Sequence, residues 1–373
     1  MATMHKKRPT WILASVSVVC LFMIGAYVNP SIRTRTCYLF NSRGCLTYDL
    51  HTETYFSRKL SDEEIESRIV IKEFLKFLPL QTNNPKVAFL FLTPGSLPFE
   101  KLWHVFFKGH EGKFSIYVHA SREKPVHVSR YFVGRDIRSE LVSWGKFSMV
   151  EAERRLLANA LLDLDNQHFV LLSESCIPVR HFEYVYNYLL YANVSFIECY
   201  TDHGPHGNGR YVEHMLPEVE KEDFRKGSQW FSMKRQHAVI VMADNLYLTK
   251  FKHHCRPNME GGHNCYSDEH YLPTFFNMLD PGGISNWSVT YVDWSEGKWH
   301  PRSFSAKDVN YHLLKTLTSI EECPHITSDA KRSVLITPCM WNGSKRPCYL
   351  FARKFYPETL DRLMRLFSNI TSF

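Results

Sequence analysis

The chain has 373 residues, 44% hydrophobic and 22% charged, which excludes a disordered polymer and leaves room for one large globular domain or two ordinary ones. Its formal charge of +7 is spread along the length and not gathered into a stripe. That argues against a nucleic-acid partner and suits a smaller polyanion or an anionic membrane surface.

Residues 1–10 form a short basic tail with Lys6, Lys7 and Arg8. Trp11 to Val28 follows as an uncharged run whose helical length, roughly 27 Å at 1.5 Å per residue, matches a thin secretory membrane. Trp11 and Tyr27 stand at its ends as interfacial anchors. A cleaved leader has a shorter apolar region and a small-x-small site, and Ala26-Tyr27-Val28 is a poor one, so residues 11–28 read as a retained transmembrane anchor. Arg33 and Arg35 nearly balance the basic tail, so orientation comes from elsewhere. Besides Cys20 there are nine Cys (37, 45, 176, 199, 255, 265, 323, 339 and 348), none in a Cys-x-x-Cys pair. Their number fits an oxidising lumen with several disulfides, and nine being odd leaves at least one thiol free or intermolecular. Sequons at Asn193, Asn286, Asn342 and Asn369 agree with a lumenal body and a cytosolic N-terminus.

Residues 29–83 read as a lumenal stem, with Cys37 and Cys45 close enough to bridge. Inside it, Ser61 to Leu80 opens on a capping-box-like Ser61 and Glu64 and continues as an amphipathic helix packed on the main domain. Residues 84–373 read as the main domain.

There the pattern becomes α/β. Val87 to Leu92 is a continuous apolar run ending in Thr93-Pro94-Gly95, as a buried parallel strand does when it enters a loop. Leu102 to Lys108 reads as a helix, Phe114 to His119 as a strand, and Ser148 with Glu151 as the capped start of a helix reaching Leu162. His168 to Leu172 is a third buried strand, leading into Ser173-Glu174-Ser175-Cys176. Alternating strands and helices predict a mostly parallel sheet whose ligands lie at the carboxyl ends of the strands, around Thr93, His119 and Ser173–Cys176. The second half is richer in loops. Tyr200 to Tyr211 is a long, polar, Gly-rich candidate substrate loop. A helix starts at Lys234, a strand covers Ser288 to Val292, and a last helix runs from Pro357 to Phe367.

Between these lies Cys265-Tyr-Ser-Asp-Glu-His-Tyr271. Ser267 as N-cap would put Asp268 and Glu269 in a first turn, where carboxylates are favoured and a general base is well held. On local pattern alone the two acids read first as a complement to the helix dipole.

A lumenal α/β domain with this charge suggests a transferase that uses a nucleotide sugar. The Asp-x-Asp string that chelates a diphosphate-bound metal occurs here as Asp163-Leu-Asp165, at the wrong end of its strand and in a turn context, so no metal is expected. Fixed Lys or Arg charge would then neutralise the diphosphate. His253, His254 and Cys255 with His263 and Cys265 are zinc-type ligands at a spacing that fits no common site, and the two Cys suit disulfides better.

Several strings carry a family resemblance: FLTPGSLP (91–98), LWHVFFKGHEGKFSIYVH (102–119), FVLLSESCIPV (169–179), GNGRY (207–211), RKGSQWF (225–231), CYSDEH (265–270), YVDWSEGKWHP (291–301) and CYLFARKF (348–355). In this order, over about 85–367, the chain resembles the core 2/I-branching β-1,6-N-acetylglucosaminyltransferases, in their plant-type branch. The resemblance implies a Golgi type II protein with a GT-A-like α/β catalytic domain. It also implies inverting, metal-independent transfer from a UDP-sugar to a glycan on a glycoprotein or cell-wall polysaccharide, with no cofactor. By motif, Glu269 matches the catalytic base and Lys354 the lysine that neutralises the leaving diphosphate. The arginine partner aligns poorly among Arg302, Arg346 and Arg353, with Arg302 slightly ahead. Thr93, Pro94 and His119 fall where uridine should bind, and Trp144, Glu174 and Ser228 along the donor cleft. Arg210 and Trp294 match acceptor residues. The animal enzymes' acceptor region and Cys arrangement match poorly, so GlcNAc is not carried over as donor, and glucuronic acid is an alternative. A catalytically silent Golgi protein that keeps the fold as a scaffold is the competing reading.

Overall fold

The computed structural model describes residues 82–370, apart from 193, 260, 261, 263, 299 and 342. The expected anchor, the stem with its helix, and the Cys37–Cys45 bridge lie outside the described residues. Among those described, no helix is long and apolar enough to cross a membrane.

The core is organised by β1 (Lys86–Thr93), which is buried on both faces. Its side chains alternate: Val87, Phe89 and Phe91 enter one cluster, while Ala88, Leu90 and Leu92 enter a second on the other face. This period of two is why a continuous apolar run, and not an amphipathic one, makes the strand. Strand β1 pairs in parallel with β2 (Phe114–Ala120) on one side and β3 (Asn166–Ser173) on the other. Helix α1 (Glu100–Phe107) covers the first face with Leu102, Trp103, Phe106 and Phe107. Phe107 meets Phe89 edge-on at 4.9 Å. Truncating Phe89 to Ala would cost about 3–5 kcal/mol. Helix α2 (Ser148–Leu161) covers the opposite face.

Six strands make the sheet, in the order β2-β1-β3-β6-β5-β7, with β5 at Ser195–Glu198, β6 at Ser232–Lys234 and β7 at Ile284–Asn286. Strand β6 runs antiparallel to both β3 and β5, while β5 and β7 are parallel to each other. The result is a mixed α/β domain with a largely parallel central sheet, consistent with a GT-A-like fold. Helix α3 (Phe182–Leu190) adds Phe182, Val185 and Leu189 to the first cluster. Helices α4 (Arg235–Ala243), α5 (Leu246–His254) and α6 (Ser267–Leu279) gather around the second.

A small sheet joins distant parts of the chain: β4 (Ile177–Pro178), β13 (Phe351–Arg353) and β8 (Thr290–Val292). After helix α7 (Tyr311–Ser319) come an antiparallel ribbon, β9 (Glu322–Ile326) with β10 (Val334–Pro338), and a hairpin of β11 (Met340–Trp341) and β12 (Ser344–Lys345). A Cys339–Cys348 disulfide spans the hairpin, and helix α8 (Leu360–Ile370) closes the described chain.

Both expected serine caps are corrected. Ser148 and Ser267 are the first residues of α2 and α6, the cap positions fall to Phe147 and Tyr266, and neither helix has a side-chain cap. Each hydroxyl is engaged elsewhere: Ser148 Oγ accepts from Ser143 N at 3.0 Å, and Ser267 Oγ donates to the carbonyl of Cys255 at 2.5 Å. Asp268 and Glu269 still occupy the first turn of α6. The last helix is preceded by a separate 3-10 turn at Pro357–Thr359.

Candidate active site

The register of β1 with its neighbours sets Thr93, His119 and Ser173 along one edge of the sheet, since Leu92 is opposite both His119 and Ser173. Thr93 Oγ1 accepts from Gly95 N and donates to the carbonyl of Ser96, both at 3.1 Å, which folds the Thr93–Pro94 turn tightly. His119 is buried, and its Nε2 lies 2.9 Å from Arg155 Nη1 and 3.2 Å from the backbone N of Glu140. Both neighbours can only donate, so Nε2 is the acceptor nitrogen. At the opposite edge, Asp163 and Asp165 receive Lys86 Nζ at 3.0 and 3.4 Å, so the Asp-x-Asp string anchors the start of β1.

Glu269 stands at the mouth of α6 with its side chain 27% exposed. Its Oε2 is 2.6 Å from Arg210 Nη1, and that guanidinium lies over the Tyr266 ring at 4.6 Å. The same Nη1 reaches His270 Nε2 at 3.2 Å. His270 Nδ1 is 2.7 Å from the carbonyl of Arg225 and so donates to it, leaving Nε2 to accept from Arg210. Buried and facing Arg210, His270 is held well below the usual imidazole range. Arg210 ends a single 3-10 turn, Asn208–Arg210, in the polar loop that follows β5.

The neighbouring Asp268 has a different environment. It is half-buried, its Oδ1 is shut off from solvent with no hydrogen-bond partner, and its carboxyl is pushed up to about 7 by desolvation and by the charge of Glu269. Behind it on α2, Glu153 is pushed well above the carboxylate range by burial and by Asp268, and accepts from Gln229 Nε2 at 2.9 Å. The adjacent acids therefore divide: Glu269 meets solvent and a cation, whereas Asp268 faces inward toward another carboxyl.

The small sheet positions Lys354. Lys354 follows β13, and its carbonyl accepts from Phe304 N at 2.7 Å while Phe355 N donates to the carbonyl of Ser175 at 3.1 Å. Lys354 is thereby set beside Glu174. Its amine is held below the usual lysine value by burial and by the charge of Arg353, with Glu174 opposing. The three arginines now separate. Arg353 is half-buried and lies over the Trp230 ring at 3.9 Å. Arg302 pairs with Asp308 at 2.7 Å and its backbone N donates to Asp293 at 2.8 Å. Arg346 lies over Tyr188, whose hydroxyl donates to the carbonyl of Pro347. Trp294, 38% exposed, follows β8, and Trp144, 60% exposed, packs near Tyr266 and His300 at 5.3 and 5.4 Å. Ser228 Oγ accepts from Trp230 N at 3.2 Å.

Cys255 and Cys265 form a disulfide, so neither can ligate zinc as a thiolate. Among the described residues, Cys176, Cys199 and Cys323 are free thiols, and burial raises all three. Glu198, Cys323 and His325 bring ligand-type atoms within 4.8 Å of one another. His325 Nδ1 is already 3.0 Å from Glu198 Oε1, and Tyr349 OH donates to Cys323 Sγ at 3.4 Å. The sequence reading missed Arg155, Tyr266, Glu198 and His325. Tyr266 was within reach, three residues before Glu269; the others depend on contacts with no local signature.

Comparison with known proteins places this geometry among relatives. The family model described as Core-2/I-branching enzyme matches residues 87–318. A rice protein (Oryza sativa subsp. japonica), Glycosyltransferase BC10, is 36% identical over 314 residues, covering 74% of this chain and 75% of the relative.

Proposed function

The chain belongs to the Core-2/I-branching enzyme family and is a glycosyltransferase, and from that premise we propose that it is inverting and metal-independent, with Glu269 as its general base. The donor is a UDP-sugar, with GlcNAc or glucuronic acid as the transferred unit, and the acceptor is a glycan hydroxyl. Thr93, Pro94 and His119 hold the nucleoside end; Trp144, Glu174 and Ser228 line the donor cleft; Arg210 and Trp294 receive the acceptor. Glu269 takes the hydroxyl proton as the oxygen attacks the anomeric carbon from the face opposite the diphosphate. The C1–O bond to UDP breaks, and the charge that develops on UDP meets Lys354 and Arg302. Arg353, packed next to Lys354, adds fixed positive charge behind it. The N-terminal anchor of residues 11–28 holds this domain in the Golgi lumen as a type II protein.

The observation that carries this reading is the position of Glu269: a carboxylate in the first turn of α6, held by Arg210 and still open to solvent, while its neighbour Asp268 turns its Oδ1 inward with no hydrogen-bond partner. The test replaces Glu269 by Gln. Transfer should fall by about 10²–10⁴-fold while UDP binding survives. Full activity in the variant would remove Glu269 from the mechanism. EDTA should leave transfer intact, and a loss that Mn²⁺ restores would end the metal-free reading. No binding of UDP or of any UDP-sugar in a panel would favour the scaffold.

A further inference from the structure

The loop that delivers Arg210 is fastened from outside the family-matched region. That match ends at residue 318, and the β9–β10 ribbon lies beyond it. At the turn of the ribbon, Ser328 donates its backbone N to both carboxylate oxygens of Asp202 at 3.1 Å and brings its Oγ to 3.0 and 2.8 Å. Ser328 Oγ also accepts from His206 N at 2.9 Å. The Asp202 side chain is fully buried, and it further takes Gly204 N at 2.9 Å and Lys226 Nζ at 3.5 Å. Its carbonyl accepts from Asn208 N at 2.6 Å, which closes the turn that ends in Arg210. A Cβ on Gly204 would strike the Ser328 backbone, so the loop lies in close contact with the turn of the ribbon there, and one on Gly207 would strike Asp202 within the loop itself. A second fastening lies deeper, where His325 Nδ1 meets Glu198 Oε1 at 3.0 Å and the His325 ring packs on Tyr200 at 4.8 Å.

We propose that the β9–β10 ribbon sets acceptor choice: through Ser328 on Asp202 and His325 on Glu198 it positions the loop from Tyr200 to Arg210, and with it the Arg210–Glu269 pair. Ser328 and His325 are positioning residues, since both act through the loop. The inference rests on the reading of Glu269 as base. It has the ribbon act on the Arg210–Glu269 side through the loop, and not on the Thr93–His119 edge.

The test uses the full chain with Ser328→Ala, Ser328→Thr and His325→Gln. Hydrogen exchange of residues 201–210 reads the loop, calorimetry with UDP reads the donor side, and transfer kinetics use the donor and acceptors that turn over in a panel. In Ser328→Ala, loop exchange should rise and acceptor kcat/KM should fall about tenfold or more, because small displacements of positioned groups have large rate effects. UDP affinity should stay within about twofold, Ser328→Thr should restore transfer, and His325→Gln should reorder the acceptors. Acceptor kcat/KM within about twofold of native in Ser328→Ala overturns the proposal, as does UDP affinity falling in step with transfer. Loss of transfer in Glu269→Gln beside normal transfer in Ser328→Ala would sink the ribbon's role alone, whereas an active Glu269→Gln would sink the base as well.

Discussion

Arg210 Nη1 and Glu269 Oε2 are 2.6 Å apart although 59 residues separate them, and both side chains are largely shielded, 9% and 27% exposed. The same guanidinium bonds His270 and lies over Tyr266, so it is fixed on three sides. Arg210→Lys keeps the charge and loses the planar fork. It should lower acceptor kcat/KM by about tenfold or more, with Arg210→Ala lower still and UDP affinity unchanged in both. Kinetics on the two variants, paired with UDP calorimetry, provide the check. Loss of UDP affinity in step with transfer would place Arg210 on the donor side instead.

Lys354 offers a pH-dependent reading of the donor site. Burial and the neighbouring Arg353 hold its amine below the ordinary 10.5, and Glu174 opposes them. The charged form that attracts a diphosphate is therefore lost at a lower pH than for a free lysine. UDP affinity should weaken as pH rises toward 10. Lys354→Met should bind UDP about 10–100-fold more weakly at neutral pH, the worth of a charge-assisted contact, and lose that alkaline decline. Calorimetry from pH 7 to about 10 decides it. The same slope in Lys354→Met would mean that another group titrates.

How much of this was legible beforehand follows from where each contact lies along the chain. Strands β1, β2 and β3 were readable because both faces are covered, so the apolar runs are unbroken. Short β5 and the β9–β10 ribbon gave no such run, and no strand was assigned there: β5 has four residues, and Val334, Leu335 and Ile336 of β10 are exposed. The caps were misread because a serine near a helix start is ambiguous until its hydroxyl's partner is known. Asp268 and Glu269 are separable only by their partners, Arg210 for Glu269 and none for the Asp268 Oδ1, which neighbours in one helical turn do not reveal. The Asp202–Ser328 fastening joins residues 126 apart, and no spacing rule reaches that far.

The Cys255–Cys265 disulfide ties the end of α5 to the loop that enters α6. Ser267 Oγ donates to the carbonyl of Cys255, and Cys265 N donates to that of Arg256 at 3.2 Å, so the bridge seats the turn that carries Glu269. Chain-entropy reasoning for a closed loop of this length gives about 2–3 kcal/mol. Replacing both Cys by Ser should lower unfolding stability by that amount. It should also depress kcat more than UDP affinity, because the base and not the donor site is loosened. Urea unfolding and steady-state kinetics test the two halves separately. Unchanged kcat would show that α6 holds its first turn without the bridge.

Asp268 and Glu153 give the protein a definite response to pH. Burial, then the charge of Glu269, pushes the Asp268 carboxyl from its ordinary 3.8 up to about 7, and burial with Asp268 pushes Glu153 upward as well. Across that interval the unfolded chain has released protons that the folded chain retains. At these groups the folded state therefore binds more protons, and their contribution to stability falls as pH rises from about 4 through 7. The groups facing Asp268 are Glu153 on α2, Glu269 on its own helix, and Arg210, whose charge opposes the shift. Asp268→Asn keeps the shape and removes the titration. It should be more stable than native at pH 8, by about 4 kcal/mol at most, close to native at pH 4, and less dependent on pH between them. Urea unfolding at both pH values is the measurement. An Asn variant whose stability changes with pH as native's does would show that Asp268 is charged in the folded protein.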